Sequence, residues 1–181
     1  IVAPLDQILC NQGLTNAVSF VGTGNLYTWI NSNPGIGLAA NGSGNISSFT
    51  ASNISSTPSV ANITATPQFS NSGLTCAGLP QQFTIQVNPT AIVLDPVDQV
   101  YCNGSTAGGV NFSGTATNYS WTNDNTNIGL ASNGVGNIPT FTVSNNSSLA
   151  ITANLVVTPL YTIGSLVCPG PVQNFVFTVN P

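Results

Sequence analysis

The 181-residue sequence has no lysine, no arginine and no histidine, and its only charged side chains are four aspartates. Nucleic-acid binding requires cationic side chains that neutralise phosphates, so this function class is excluded. Attachment to anionic lipid through a basic patch is excluded for the same reason. Without histidine, no side chain has an ordinary pKa between about 5 and 8. The surface should therefore behave alike across neutral pH.

Catalysis also lacks its usual residues. No histidine or lysine is present to act as a general base, and no serine or threonine has a base beside it. The chain is therefore predicted not to be an enzyme. Asp95 and Asp98 form the one local acidic pair. They are a weak candidate for a calcium site near the domain junction, because Ca²⁺ takes about six to eight oxygen ligands and usually more carboxylates. No other cofactor is expected.

The scarcity of charge does not indicate disorder. Charged residues make up 2% of the chain, whereas 41% of residues are hydrophobic. Disordered segments are poor in aromatic and β-branched residues and rich in net charge, which is the opposite pattern. The chain can bury a core, and its solubility must come from amide and hydroxyl groups. No apolar run reaches the ~20 residues of a membrane-spanning helix, so no membrane insertion is expected.

The chain repeats itself at a constant offset of 92 positions. The clearest match is "GIGLAANGSGNISSF" at positions 35–49, which returns as "NIGLASNGVGNIPTF" at 127–141. The period is close to the ~100 residues of an immunoglobulin-type sandwich and too long for a solenoid unit. We therefore predict two tandem domains, residues 1–90 and 91–181. Both chain ends fall in phase with the repeat, and we expect the chain to be part of a longer array.

Alternation with a period of two dominates each repeat, and no helical stripe of useful length occurs. Asn-Gly turn signals separate the alternating segments. This pattern predicts an all-β fold of two tandem immunoglobulin-like β-sandwich domains with about seven strands each. Trp29 and Trp121 are predicted to fill the two cores. The apolar residues predicted to face inward are Val18, Phe20, Tyr27, Ala61, Ile63, Ala65, Phe83, Ile85 and Val87 in the first repeat, and Val110, Phe112, Tyr119, Ile151, Ala153, Leu155, Val157, Phe175, Phe177 and Val179 in the second.

Each repeat carries two cysteines at matched positions, which allows three pairings of the four residues. The repeat symmetry favours Cys10–Cys76 and Cys102–Cys168, one bridge in each domain. Each bridge would stabilise its domain by roughly 4 kcal/mol on the chain-entropy estimate. Disulfides indicate an oxidising, extracellular setting. Metal binding is the competing interpretation, but a cysteine pair without histidine or a CxxC spacing makes a poor zinc site.

The repeated loop allows two interpretations. Its glycines and asparagines could be needed for its shape, since glycine permits φ > 0 and asparagine amides can satisfy loop backbone groups. Alternatively, the loop could bind a ligand once per repeat and gain avidity in an array. The candidate contact residues in that case are Asn41, Asn45, Asn133 and Asn137. The many Asn-x-Ser/Thr sequons, which include Asn53 and Asn145, are attributed to composition.

The segments "YSWTNDNTNIGLASNGVGNIPTFT" and "FTVNP" resemble the PKD-like, immunoglobulin-like repeats of giant surface proteins in Bacteroidetes. The resemblance covers essentially all of both repeats. It implies an extracellular location on a bacterial cell surface, and a role in a stalk or filament. Such proteins are typically exported by the type IX secretion route, and some are adhesins in gliding motility.

Three functions remain as hypotheses. The first is a stiff, disulfide-tied stalk within a surface adhesin or filament. The second is a glycan-binding adhesive module that uses Tyr101, Tyr161 or Phe69, and the third is a self-assembling filament subunit. The expected partners are accordingly neighbouring repeats of the same chain, surface glycans or like filaments.

Overall fold

The computed structural model describes residues 1–181, which divide into two compact units, Ile1–Pro89 and Thr90–Pro181. The strands of unit 1 are β1 (Gln7–Cys10), β2 (Leu26–Asn31), β3 (Asn41–Ser43), β4 (Ser59–Asn71), β5 (Leu74–Ala77) and β6 (Gln81–Asn88). Those of unit 2 are β7 (Gln99–Cys102), β8 (Thr106–Ala107), β9 (Asn118–Asn123), β10 (Asn133–Val135), β11 (Phe141–Thr142), β12 (Ile151–Ile163), β13 (Leu166–Pro169) and β14 (Gln173–Asn180). Each unit has one short 3₁₀ turn, Pro34–Ile36 and Thr126–Ile128. No helix is long and apolar enough to span a membrane.

The larger sheet has the same topology in both units. Its order is β1-β6-β4-β2-β3 in unit 1 and β7-β14-β12-β9-β10 in unit 2. The far end of the long strand pairs with one further short strand, β5 on β4 and β13 on β12. The first strand runs parallel to the last, whereas the other neighbours are antiparallel. A first strand parallel to the last, beside an otherwise antiparallel sheet, is typical of an immunoglobulin-like sandwich.

A smaller layer covers this sheet in each unit. In unit 1 it is held by the bridges Leu14–Thr50 and Val18–Ile46. In unit 2, β8 pairs with β11, and the two isolated bridges are Val93–Gly114 and Val110–Ile138. The prediction of two all-β, immunoglobulin-like sandwiches is confirmed. The alternation of "VNFSG" at positions 110–114 predicts a strand, and this is wrong in one respect, because the segment forms only isolated bridges at Val110 and Gly114 rather than a ladder. Gly109 and Gly114 have positive φ values of 78° and 150°, which interrupt an extended strand.

The inward faces follow the alternation in the sequence. On β4, Ala61, Ile63 and Ala65 are fully buried between exposed or half-buried neighbours. The two tryptophans lie in the cores, as predicted, with 7% and 5% of their surfaces exposed. A fully buried large apolar side chain stabilises the fold by about 1.5–3 kcal/mol. The other buried residues of the two cores are Val18, Phe20, Ile36, Leu38, Ile46, Ala51, Phe83, Ile85 and Val87 in unit 1, and Val93, Ala107, Val110, Ile128, Leu130, Ile138, Val143, Ala153, Leu155, Val157, Phe175, Phe177 and Val179 in unit 2.

Candidate functional site: the repeated loop and the cysteine positions

The repeated loop begins with a capped 3₁₀ turn. The side chain of Asn33 accepts a hydrogen bond from the Gly35 N–H at 3.2 Å, and Asn125 accepts one from Asn127 at the same distance. The turn ends at Gly37, whose φ of 96° lies in the left-handed region. Gly129 ends the second turn with a φ of 93°. Glycine adopts this conformation without the steric cost of a Cβ, so its repetition at this position has a structural cause.

The next glycine of the loop is fixed by the core tryptophan. The indole of Trp29 lies so close to Gly42 that a Cβ added there would be 2.2 Å from Cζ2. A Cβ added at Gly134 would likewise be 2.2 Å from Cζ2 of Trp121. Any larger residue would push the indole out of its position in the core.

Two of the four candidate contact asparagines are used by the fold. The Asn45 Oδ1 atom accepts a hydrogen bond from the Phe20 N–H at 2.9 Å, and the equivalent bond joins Asn137 to Phe112 at 3.0 Å. The remaining candidates, Asn41 and Asn133, are exposed on strands β3 and β10. The Asn133 amide donates only to the neighbouring Ser132 hydroxyl, at 3.2 Å.

A buried asparagine in each unit is a site that sequence reasoning missed. Asn53 is 4% exposed, and its Nδ2 donates to the Val87 carbonyl at 2.7 Å and the Thr57 carbonyl at 2.8 Å. Its Oδ1 accepts from the Ser55 N–H and hydroxyl. Asn145 repeats the set, with both of its Nδ2 bonds at 2.8 Å. Both residues were dismissed as chance sequons, although their recurrence at the repeat offset was a signal of structural use.

A second buried asparagine in each unit, Asn31 or Asn123, forms hydrogen bonds to the backbone of the loop. Asn31 Nδ2 donates to the carbonyls of Leu38 and Ala39 at 2.9 and 3.2 Å, and its Oδ1 accepts from the Asn33 N–H. Asn123 forms the same three bonds in unit 2. A buried polar group without a hydrogen bond destabilises the folded protein. These side-chain amides provide the hydrogen bonds for carbonyls of the loop.

Asp6 and Asp98 each accept a hydrogen bond from a backbone N–H group of their own unit. The Asp98 carboxylate accepts a hydrogen bond from the Val176 N–H at 2.7 Å, and Asp6 accepts one from Thr84 at 2.6 Å. Asp95 is exposed, and no group of three or more potential metal ligands occurs in the structure. These two carboxylates alone supply fewer than the about six to eight oxygens that Ca²⁺ takes. The calcium site near the domain junction stays a prediction.

The carboxylate of Asp124 has a shifted pKa. Hydrogen bonds from the Asn154 side chain and backbone, both at 2.7 Å, hold the pKa of Asp124 below its ordinary value. In the other unit, Ser32 occupies the equivalent position and accepts the Asn62 N–H at 2.8 Å. The position therefore needs an acceptor, but it does not need a charge.

The aromatic candidates for a glycan site differ in exposure. Tyr101 and Tyr161 are half-buried, and the Tyr101 ring packs edge-on against Phe177 at 5.9 Å. Phe69 is 53% exposed. It lines a surface groove of about 360 Å³ together with Thr23, Gly24, Pro67, Gln68, Cys76, Ala77 and Gly78.

The predicted cysteine pairings are wrong. Cys76 and Cys102 are free thiols, whereas Cys10 and Cys168 are disulfide-bonded, so neither Cys10–Cys76 nor Cys102–Cys168 is present. The register of the sheet gives the reason. Cys10 lies beside Asn88 at one end of the sheet, where the neighbouring Val87 pairs with Ser59.

Cys76 pairs with Phe69, ten residues further along the same strand β4 (69 − 59 = 10). A strand rises about 3.3 Å per residue, so the two thiols of unit 1 lie roughly 30 Å apart. A disulfide needs Cα atoms within about 7 Å. Unit 2 has the same geometry, because Cys102 lies beside Asn180 and Cys168 pairs with Tyr161 near the far end of β12.

No protein-family model matches the chain, and no curated protein is similar to it in sequence. Solved structures with a related fold include BT4661, a SusE-like surface located polysaccharide binding protein from the heparin utilisation locus of Bacteroides thetaiotaomicron. It is 12% identical, with a TM-score of 0.32 over 97% of this chain and 33% of its own. Cadherin-like domains 1 to 4 of zebrafish RET share 9% identity and a TM-score of 0.28 over 87% of this chain and 41% of theirs.

Cadherin domains 1–4 of protocadherin gamma B7 share 11% identity and a TM-score of 0.26 over 92% of this chain and 41% of theirs. This chain therefore spans about two fifths or less of each of these structures. Similarity at this level carries no argument about ligands or partners.

Proposed function

We propose that this chain is a structural segment of an extracellular surface protein, in which each sandwich unit acts as a spacer in a stalk or filament. One observation carries the proposal: the repeated loop is used by its own fold. Its left-handed glycine, its tryptophan-contacting glycine and one of its asparagines all serve internal contacts in both units. A loop displayed for a ligand would instead leave most of its repeated residues without internal contacts.

Composition and redox state support the same function. A surface of amides and hydroxyls, without lysine or arginine, gives trypsin-like proteases no cleavage site. Disulfide-bonded Cys10 and Cys168 suit an oxidising compartment outside the cell. The resemblance to PKD-like repeats of Bacteroidetes surface adhesins supports a bacterial cell-surface location. No catalytic role is proposed, because the chain has no histidine or lysine and the structure brings no pair of carboxylates together.

The competing function is glycan binding by the exposed candidate residues of the site. The candidate residues Asn41, Asn133 and Phe69 are exposed, and none of their side chains bonds to the backbone. Glycan-array binding of the full chain, measured beside an Asn41→Ala/Asn133→Ala variant and a Phe69→Ala variant, separates the two functions. A structural segment gives no saturable signal with any of the three proteins. A saturable signal that is lost in either variant would overturn the structural proposal.

A further inference from the structure

The two units share exposed apolar residues in one segment only. At every other exposed apolar position that has a counterpart in the other unit, the counterpart is polar, a proline or less exposed, as Val60 has Thr152 and Val135 has Ser43. Apolar side chains scattered singly on a surface are normal, but recurrence in both units indicates a contact that needs them. The recurring residues are Val2, Leu5 and Ile8 in unit 1, and Leu94, Val97 and Val100 in unit 2.

These residues lie in one stretch of each unit, residues 2–8 and 94–100, which we call the edge segment. It runs into β1 or β7, the edge strand of the larger sheet. Unit 1 has a unit after it in the chain and unit 2 has one before it, and the edge segment is exposed in both. Its exposure is therefore a property of the unit itself.

The edge strand leaves one residue with both of its backbone groups unpaired. The Asn103 N–H donates to the Asn180 carbonyl at 3.0 Å, so alternate residues from Asn103 back along β7 bond to β14. The N–H and C=O groups of Val100 therefore point away from the sheet, and no backbone hydrogen bond reaches them. The equivalent bond in unit 1, also at 3.0 Å, places Ile8 in the same way.

The aspartates of the edge segments do not protect this edge. Edge strands are commonly protected from pairing by charged side chains, proline or a bulge. The Asp98 carboxylate is instead bonded to the Val176 N–H of β14 at 2.7 Å, and that of Asp6 to the Thr84 N–H of β6 at 2.6 Å. Asp95 and the prolines of both segments lie outside β1 and β7. The strand edge itself is therefore uncharged and aliphatic.

The opposite edge of the larger sheet lacks the repeated apolar residues. It is formed by β3 and β10, which have three residues each and begin with the exposed Asn41 and Asn133. Val135 is exposed on β10, but Ser43 occupies this position on β3. Only the edge at β1 and β7 is apolar in both units.

We propose that β1 and β7 pair edge to edge with the same strands of a second copy of this chain. Antiparallel pairing of Val100 with Val100 of the second copy forms two N–H···O bonds about a two-fold axis, because each residue offers one free N–H and one free C=O. Ile8 forms the equivalent pair. The partner is a second copy because this edge is its own complement in hydrogen bonds, in aliphatic side chains and in its lack of charge.

The contact is small and therefore weak. Each edge strand has four residues, which span about 13 Å, so one pair buries less than the ~1,200 Å² of a stable protein interface. Each copy has two such edges, so association continues past the dimer. Linking edges in one chain raises their effective concentration to about the millimolar range. The inference goes beyond the proposed structural function, since a spacer needs no contact between copies.

Sedimentation equilibrium of the full chain up to about 1 mM protein tests the association. The parent protein carries Cys76→Ser and Cys102→Ser, so that no disulfide between the exposed thiols contributes. Its weight-average mass should rise with concentration above that of the monomer. A parent protein that stays monomeric throughout would overturn the inference, and the structural function would still be judged by the glycan array alone.

Charged substitutions locate the contact. Ile8→Asp/Val100→Asp should keep the parent protein at the mass of the monomer over the same range. The control is Ile54→Asp/Val135→Asp, which replaces two exposed apolar residues outside the edge segments and adds the same charge. The control should associate like the parent protein, and thermal unfolding curves check that both variants are folded. Equal masses for the two variants would overturn the inference.

Proline substitutions separate strand pairing from apolar contact. Ile8→Pro/Val100→Pro removes the two outward N–H groups, while the edge stays apolar and uncharged. The proline is tolerated on an edge strand because its nitrogen faces solvent rather than β6 or β14. This variant should also remain monomeric. Association equal to that of the parent protein would overturn pairing through the backbone, and with it the proposal.

A cysteine at the centre of the pair tests the two-fold geometry. Residues of a hydrogen-bonded antiparallel pair have Cα atoms about 5.5 Å apart, which suits a disulfide. Val100→Cys in the parent protein should form a covalent dimer with oxidised glutathione, seen by electrophoresis without reductant. Val135→Cys, on the opposite edge, should form several-fold less dimer. Equal yields of dimer from the two variants would contradict the proposed pairing.

Discussion

The indole of Trp29 lies directly against the backbone of Gly42, where an added Cβ would be 2.2 Å from Cζ2. Trp121 and Gly134 are in the same relation. Loops usually vary more than the strands they join. This loop is repeated within the chain because the core tryptophan permits only glycine beside it. The sequence match is thus a consequence of packing.

The first prediction concerns this contact. Gly134→Ala should lower the free energy of unfolding by about 2–3 kcal/mol, because the new methyl group displaces the Trp121 indole. The control is Gly108→Ala in the same unit, where a Cβ meets no atom within 4 Å and φ is not positive. The control should stay within about 1 kcal/mol of the wild type. Urea unfolding followed by tryptophan fluorescence measures both, and equal stabilities would contradict the packing account.

The second prediction concerns the buried asparagine of unit 2. Asn145→Ala should destabilise the protein by about 3 kcal/mol, since the carbonyls of Leu149 and Val179 lose their donors in a buried site. Asn146 is the matched control, because it is adjacent and exposed. Asn146→Ala should change the stability by less than about 0.5 kcal/mol. Calorimetry would contradict the account if both variants unfolded at the same temperature as the wild type.

The third prediction concerns acid stability. The pKa of Asp124 lies below its ordinary value of 3.8, so the fold favours the charged form. The resulting stabilisation is fully present above the ordinary pKa and is lost as pH falls through the lowered folded pKa. Asp124→Ser keeps an acceptor for the Asn154 N–H, as Ser32 does for Asn62, but it cannot titrate there.

The wild type should therefore lose stability more steeply than Asp124→Ser between about pH 5 and pH 2. Free energies of unfolding measured at intervals across this range give the difference, and the other three aspartates are common to both proteins. Parallel curves would show that the Asn154 hydrogen bonds do not depend on the charge of Asp124.

The fold could be predicted because its signals are local and occur twice. Alternation alone placed Ala61, Ile63 and Ala65 on one face of β4, and Trp29 in the core. The cysteine pairing could not be predicted in this way. Repeat symmetry favours one bridge per unit, but Cys10 is positioned by the long-range pairing of β1 with β6, and Cys76 by a hairpin at the far end of the long strand β4.

The role of Asn53 was missed for a related reason. Its partners Asn11, Thr57 and Val87 lie in three different segments, and no local motif connects them. Composition made an Asn-x-Ser sequon look accidental. Only the recurrence of the whole set at Asn145 distinguishes it, because a chance sequon has no reason to recur together with its partners.

Hydrogen–deuterium exchange of the full chain, resolved by amide with NMR, tests most directly whether the repeated loop is a fixed part of the fold. The amides of Gly37, Gly44 and Ile46 donate to backbone carbonyls, as do those of Gly129, Gly136 and Ile138 in unit 2. The account predicts that these loop amides exchange slowly, with protection close to that of the flanking strands and similar at positions 92 apart. Exchange at the rates of an unstructured peptide in both loops would contradict it.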